Sequence, residues 1–481
     1  MAREIVIEPV TRIEGHAKVA IQLDDQGNVA DAKMHVVELR GFEKFCVGRM
    51  VEELPRITPR ICGVCPWAHH LASAKATDAV FGVKIPNAAR KIRELVYMAE
   101  MASDRILHFW ILSGPDFVLG PTADYKDRNV FGVIKANPDV AKRVVHVRHL
   151  GTRIAQLLSG KAIHPAAAVP GGWSRPLKKE EIQEVKSMAK EMHDFALFSM
   201  KFAKEEVFPK YIDLVKRLAV FNTGFLGTVM EDGGLSLYDG KLRMMQPDGS
   251  YEDFSVENYL DHIAELVEPW SYLKFPYSKK AGKMTMDLEN PVGVYRVNAL
   301  ARINVVDKIP TPLAQKELEE FRGQFGRPAQ ATLLFHWARL IELVYCTERL
   351  LELLEDPDIV SMDIRAPVTP RAARGIGSVE ASRGTLIHDY ETDEKGIVKD
   401  LNLVVATVQN NAAMNIAVKK TARDLIKGGK YDEGILNQIE MVIRPYDPCF
   451  SCGTHTLQGK LAIALDIYNS GGRPIDTLRN Y

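Results

Sequence analysis

Four of the chain's six cysteines stand in two C-x-x-C pairs near its opposite ends. The first is Arg60-Ile61-Cys62-Gly63-Val64-Cys65-Pro66-Trp67-Ala68-His69. The second is Asp447-Pro448-Cys449-Phe450-Ser451-Cys452-Gly453-Thr454-His455. Cysteines three apart can aim both sulfurs at one point, and two such pairs that converge form a four-thiolate cage for a soft metal. Zinc ribbons place their pairs about 15–20 residues apart. Here almost the whole chain intervenes, which disfavours a local zinc knuckle and leaves structural zinc as an alternative. Asp447-Pro448 reads as a helix start, with Asp at the cap and Pro at the first helical position. That puts Cys449 in the first turn, where the helix dipole favours thiolate. Four thiolates carry four negative charges, which a pair of divalent metals neutralises and one zinc does not.

The two cysteine segments resemble the metal-binding motifs of nickel-iron hydrogenase large subunits, and the resemblance runs from Arg12 to His455. It implies a predominantly helical α+β fold and heterolytic cleavage of dihydrogen at a nickel-iron centre whose iron holds carbon monoxide and cyanide. By motif position, Cys62 and Cys449 are the implied terminal nickel ligands, and Cys65 and Cys452 the thiolates shared with iron. Arg12-Ile13-Glu14-Gly15-His16 resembles the family's N-terminal motif, whose glutamate, here Glu14, exchanges protons with the terminal thiolate. Leu39-Arg40-Gly41-Phe42-Glu43 resembles the segment that binds a second metal. Glu43, His455 and a backbone carbonyl near Leu403 are the implied ligands, a set that suits magnesium, with iron in some relatives. Without the resemblance, Glu43 beside Lys44 reads as a surface ion pair.

Glu380-Ala381-Ser382-Arg383-Gly384 resembles the segment that sets an arginine over the metals, where its donors reach cyanide nitrogens. The family usually has proline where this chain has Ser382. Asp104 and Asp447 are the implied carboxylates that hold Arg383, and Asp104 shares a helix face with His108. Val404, Val405 and Ala406 read as a strand wall beside the iron ligands. His69 and His70 read equally as donors toward sulfur, as a route to a partner's cluster, or as satisfied core histidines. His164-Pro165 with Pro170-Gly171-Gly172 matches a loop of the family. No spare set of cysteines remains for a cluster in this chain, so the resemblance implies an iron-sulfur small subunit seated on a partly apolar face. It also implies a maturation protease that removes Thr456–Tyr481 after His455. The tail's apolar run Leu461, Ile463, Ala464, Leu465 and Ile467, broken by Gly471-Gly472-Arg473-Pro474, would otherwise be an ordinary terminal helix.

These residues need elements to carry them. Residues 3–38 alternate as strands around the turn Asp24-Asp25-Gln26-Gly27-Asn28. From Asn87 the period becomes helical, with Ile92, Leu95, Val96, Ala99, Ile106 and Trp110 on one stripe. Residues 140–160 read as helix. Ser174-Arg175-Pro176 opens another, with Ile182, Val185, Met188, Met192 and Phe195 in step. Residues 220–255 break into short strands around Asp239-Gly240 and Pro247-Asp248-Gly249, and 312–355 return to helix. Residues 384–406 read as a hairpin around Glu394-Lys395-Gly396, followed by a helix at 411–427 ending at Gly428-Gly429. The two cysteine pairs must meet, so residues 1–455 read as one compact unit and 456–481 as an extension.

At 481 residues the chain can bury a large core. Its formal net charge of zero gives no footprint for nucleic acid or an anionic membrane. No apolar run spans a bilayer, and the N-terminus reads as no secretory signal. Cys46 and Cys346 read as buried apolar residues, and so few cysteines fit a reducing compartment, the cytoplasm. Arg40-Gly41-Phe42-Glu43-Lys44-Phe45, the modest length and the turn region at 235–255 resemble soluble, cofactor-coupled hydrogenases. Among these the methyl-viologen-reducing, deazaflavin-nonreducing type is favoured, working through an electron-transfer subunit with heterodisulfide reductase. Types that reduce a deazaflavin or NAD(P) stay open. The related quinone-site subunit of respiratory complex I is metal-free and lacks the cysteine pairs.

Overall fold

The N-terminal alternation folds as three antiparallel strands, β1 (Arg3–Ile7), β2 (Ala17–Leu23) and β3 (Val29–Val36), in the computed structural model, which describes residues 3–454, 464–468 and 474–479. Val19, Ile21 and Leu23 turn inward, as a half-buried strand requires. Asp24 Oδ1 closes the turn by accepting the N–H groups of Gln26 and Asn28.

Helix α1 (Pro66–Phe81) starts directly at the first cysteine pair, with Pro66 at its first position. Helix α2 (Asn87–Ile106) buries the foreseen stripe and runs on into a wider π-turn through Leu112. Helix α3 (Pro138–Ser159) packs beside it, and α4 (Lys179–Phe202) packs on α3. The last begins five residues after the foreseen Ser174, because Glu181 accepts the Lys178 N–H at 2.9 Å and caps the turn there. Strands β4 (Gly224–Val229), β5 (Lys241–Met245) and β6 (Tyr251–Phe254) follow. Then come α5 (Ala299–Val305), α6 (Pro312–Phe325) and α7 (Phe335–Glu355). Residues 312–355 are therefore two helices: Gly326, at φ 74°, and Pro328 interrupt the run.

A strand that the sequence reading missed, β7 (Arg374–Ala381), pairs with β8 (Gly384–Thr392), which pairs with β9 (Val398–Val404). Arg374-Gly375-Ile376-Gly377 looks like a loop. Both glycines are contact points: a Cβ at Gly375 would lie 2.3 Å from the Val80 nitrogen, and one at Gly377 2.3 Å from the Ala76 nitrogen. Bare backbone thus lets β7 lie directly on α1, fixing Arg383 relative to the first cysteine pair. Helix α8 (Asn411–Leu425) packs on β3 of the N-terminal sheet. In the tail, Ala464–Tyr468 and Pro474–Arg479 form an antiparallel strand pair, where a helix was the alternative to cleavage.

A buried ion network ties these pieces together. Glu342 on α7 accepts from Arg105 at 2.6 Å and from Arg302, which also reaches Glu380 on β7 at 2.8 Å. Breaking one partner of such a network costs about 3–5 kcal/mol. Among the described residues no helix is long and apolar enough to cross a membrane.

Candidate metal centre

The four cysteines of the two pairs converge. Cys62 Sγ lies 3.1 Å from Cys449 Sγ, Cys65 Sγ 3.4 Å from Cys452 Sγ, and Cys449 Sγ 2.7 Å from Cys452 Sγ. All four sulfurs lie within 4.8 Å of one another and all four residues are buried. Cys65 sits at the cap of α1, and its backbone N–H, with that of Val64, points at Cys62 Sγ.

The local structure at Asp447 differs from the helix start read in the sequence. Asp447 adopts a left-handed conformation, φ 51° and ψ 55°, after a short turn at Arg444–Tyr446. The helix that follows is only Phe450–Gly453, and Cys449 is its cap, not a member of its first turn. The Asp447 carboxylate caps no helix N-terminus; its Oδ1 accepts from Arg383 instead. The Cys449 N–H instead meets Thr407 Oγ1 at 3.0 Å.

Burial pushes the Cys449 and Cys452 thiols up, and hydrogen bonds from the other three sulfurs pull Cys62 down. Four crowded sulfurs cannot all ionise in so dry a place without positive charge among them. Their separations approach those of tetrahedral sites with metal–sulfur bonds of about 2.3 Å. The donor set therefore fits soft divalent metal. Cys46 and Cys346 are buried elsewhere and stay protonated, each pushed up to about 12 by burial.

Glu14 reaches the cage from the other end of the chain. Its Oε2 is 3.0 Å from Cys449 Sγ and accepts the Ser451 N–H at 3.2 Å. Backbone pairing aligns the two segments: the Phe450 N–H donates to Glu14 O at 3.0 Å, and the Glu14 N–H to Pro448 O at 3.3 Å. Gly15, at φ 80°, is required there, since a Cβ would lie 2.9 Å from Phe450 Cβ and the Ser451 nitrogen. Arg12, also left-handed, is tied to Asp116 at 2.6 Å. Burial and the Cys62 charge raise Glu14. Beyond it, the Ser451 hydroxyl donates to Glu38 at 3.3 Å, and Glu38 pairs with His16 at the surface.

Arg383 caps the cage. Its Nη1 meets Asp104 Oδ2 at 2.9 Å, its Nη2 meets Asp447 Oδ1 at 3.0 Å, and its Nε donates to Asp447 O at 3.0 Å. All three residues are buried. Ser382 puts its hydroxyl against Met101 Sδ. Of the foreseen wall, only Val404 ends a strand; Ala406 begins the one-turn helix Ala406–Gln409.

Glu43 is buried rather than a surface ion pair with Lys44. Its Oε1 accepts the Leu403 N–H at 2.9 Å and Lys274 Nζ at 3.3 Å. In a strand the N–H and C=O of one residue leave by the same edge, so the Leu403 carbonyl is on Glu43's side. Lys274, which the sequence did not flag, also meets Asn402 at 2.9 Å and Glu265 at 3.4 Å. Glu265 keeps an unpartnered buried oxygen. Carboxylates, a carbonyl and a side-chain amide suit a hard cation. His455 lies outside the described residues.

His70 is a satisfied core histidine, between Pro55 O and the Ala168 N–H. His69 joins a buried chain through His388 and Tyr390 to Ser73. Sequence reading missed His388, Tyr390, Ser451, Glu38 and Thr407. Each makes a contact with a residue far away in the chain, and none carries a local signal.

The profile of the nickel-dependent hydrogenases matches residues 40–137 and 226–455, over half of the chain. The chain belongs to the nickel-dependent hydrogenase family. A HoxL-like profile matches residues 4–39 of the hydrogenase. One subunit of the F420-non-reducing hydrogenase vhc from Methanococcus voltae is 45% identical, over 99% of this chain and 100% of its own. The NAD-reducing hydrogenase HoxS subunit beta of Cupriavidus necator is 40% identical, over 99% of each. Among solved structures, an NAD+-reducing NiFe hydrogenase in the H2-reduced state superposes with a TM-score of 0.89 at 38% identity, covering 94% of this hydrogenase and 99% of that chain.

Proposed function

We infer that this chain is the catalytic large subunit of a nickel-iron hydrogenase of the F420-non-reducing type, cleaving dihydrogen reversibly into protons and electrons. The observation that carries this reading is the buried four-cysteine cage with a carboxylate 3.0 Å from one sulfur. A quinone-site relative of respiratory complex I has no use for the cage, and structural zinc has none for the carboxylate or the arginine above it.

When bound, the nickel-iron centre supplies the Lewis acidity that polarises dihydrogen for heterolytic cleavage and takes up its electrons. Cys62, Cys65, Cys449 and Cys452 would hold it, with carbon monoxide and cyanide on the iron. Cys449 Sγ is the first base. Glu14 Oε2 takes the proton from it across 3.0 Å, and burial keeps that carboxyl poised to hold a proton. Arg383, fixed by Asp104 and Asp447, presents donors over the cage and helps exclude water. Glu43, the Leu403 carbonyl and His455 would hold magnesium or iron at the second site.

Electrons leave through an iron-sulfur small subunit, its clusters supplying what this chain lacks. Val37 and Phe45, before and within the short helix Phe42–Cys46 that carries Glu43, are half exposed and offer apolar surface to such a partner. We place the complex in the cytoplasm, passing electrons through an electron-transfer subunit to heterodisulfide reductase. The test is metal content with infrared spectroscopy on the purified complex. Nickel and iron together, with bands from carbon monoxide and cyanide, are expected; zinc alone would overturn the reading.

Residues 1–455 form the working unit in this proposal, and Thr456–Tyr481 is an extension removed by a maturation protease. Intact mass of the large subunit from active complex is expected to end at His455, and nickel-starved cells to accumulate the full-length form. A fully active subunit whose mass still includes Tyr481 would refute this.

A further inference from the structure

The turn that delivers Asp447 to the cage is gripped on consecutive carbonyls. His108 Nε2 donates to Arg444 O at 2.8 Å, Arg339 Nη2 to Pro445 O at 2.9 Å, Asn298 Nδ2 to Tyr446 O at 2.8 Å, and Arg383 Nε to Asp447 O at 3.0 Å. Arg339 also meets Asn298 Oδ1 at 3.2 Å, joining two of these grips. The donors come from the end of α2, from α7, from the residue capping α5 and from the β7–β8 turn, so four parts of the fold meet on one short stretch. All four side chains are buried.

Such a grip has a physical purpose. Asp447 is held left-handed, which costs a non-glycine residue about 1–2 kcal/mol and persists only where the surroundings over-determine it. Two residues later the chain must place Cys449 Sγ in the cage. Arg339 is the unusual member. It makes no ion pair among the described residues, and its Nη1 has no partner there, nor has Asp447 Oδ2. A buried guanidinium without a carboxylate is costly to keep. Burial draws it down to about 10, and the Asp447 charge opposes that most.

We propose that Arg339 is a positioning residue of the catalytic centre, holding the Arg444–Tyr446 turn so that Asp447 fixes Arg383 over the metals and Cys449 enters the cage in register. Arg339 touches neither cysteine nor substrate; it acts through the backbone of the turn and by its charge near Asp447.

The inference rests on the nickel-iron centre proposed above, and its test separates the two. In the purified complex, Arg339→Met is expected to keep nickel, shift the cyanide infrared bands that report on Arg383, and lower kcat about 10²-fold, the scale of a 1 Å misplacement. Arg339→Lys, which keeps the charge and can reach Pro445 O, is expected to fall between. A nickel-replete Arg339→Met with wild-type bands overturns the proposal whatever its rate. If only Arg339→Lys takes up nickel, its bands decide in the same way. If neither does, Arg339 serves folding alone and the proposal fails. Absence of the bands from the wild-type complex would instead remove the nickel-iron reading.

Discussion

Cys449→Ser yields a folded subunit that retains little nickel and turns over no dihydrogen. The substitution is nearly isosteric, and what holds position 449 is mostly backbone: its N–H on Thr407, and the Glu14 pairing on either side. Serine leaves these contacts in place. What changes is the donor. A hydroxyl is hard and neutral at pH 7, whereas the site selects a soft metal by thiolate. The lost sulfur is also the one 3.0 Å from Glu14, so the first proton acceptor goes with it. Nickel per subunit and hydrogen uptake, measured on the same preparation, decide the matter. Cys46→Ser is the control: that thiol is equally buried but lies outside the cage and should keep nickel. Normal nickel and full activity in Cys449→Ser would remove Cys449 from the ligand set.

Glu14→Gln separates holding the metals from moving the proton. The amide oxygen can still accept the Ser451 N–H, and the backbone pairing to Pro448 and Phe450 is untouched. The cage should fill, and the infrared bands should persist. An amide cannot take a proton from Cys449, however, and removing a general base costs about 10²–10⁴-fold. Deuterium–hydrogen exchange is expected to fall on that scale. Unchanged exchange would mean that protons leave by another route.

The cage was legible because its residues are rare and rigidly spaced. Two C-x-x-C segments in so long a chain leave few other uses for the sulfurs, and their convergence then required the helical layer between them. Glu14 and Arg383 were legible only through the motifs around them. The failures have physical causes. Asp447-Pro448 carries the signature of a helix cap, but the Arg383 guanidinium and the grip on the preceding turn outweighed that local preference. β7 was missed because its glycines serve contact with α1, not flexibility. Lys274 reaches Glu43 and Arg339 reaches Pro445, each more than a hundred residues away, and Thr407 reaches Cys449 42 positions on, past the helix α8. No local pattern can mark such pairings.

The pairing of Glu14 with Cys449 also sets a schedule. The contact closes a loop of 435 positions, an entropic cost of about 5 kcal/mol in a flexible chain. Two backbone hydrogen bonds contribute only about 1 kcal/mol each, too little to close that loop alone. The junction can therefore form only after the intervening core has ordered and brought the segments near. During synthesis, the first cysteine pair leaves the ribosome hundreds of residues ahead of the second and offers an incoming ion only half a site. An adventitious zinc captured early would find two thiolates where four are needed. The length of chain between the two halves acts as a clock that keeps the finished pocket from existing before the second pair has been made and the core between has ordered.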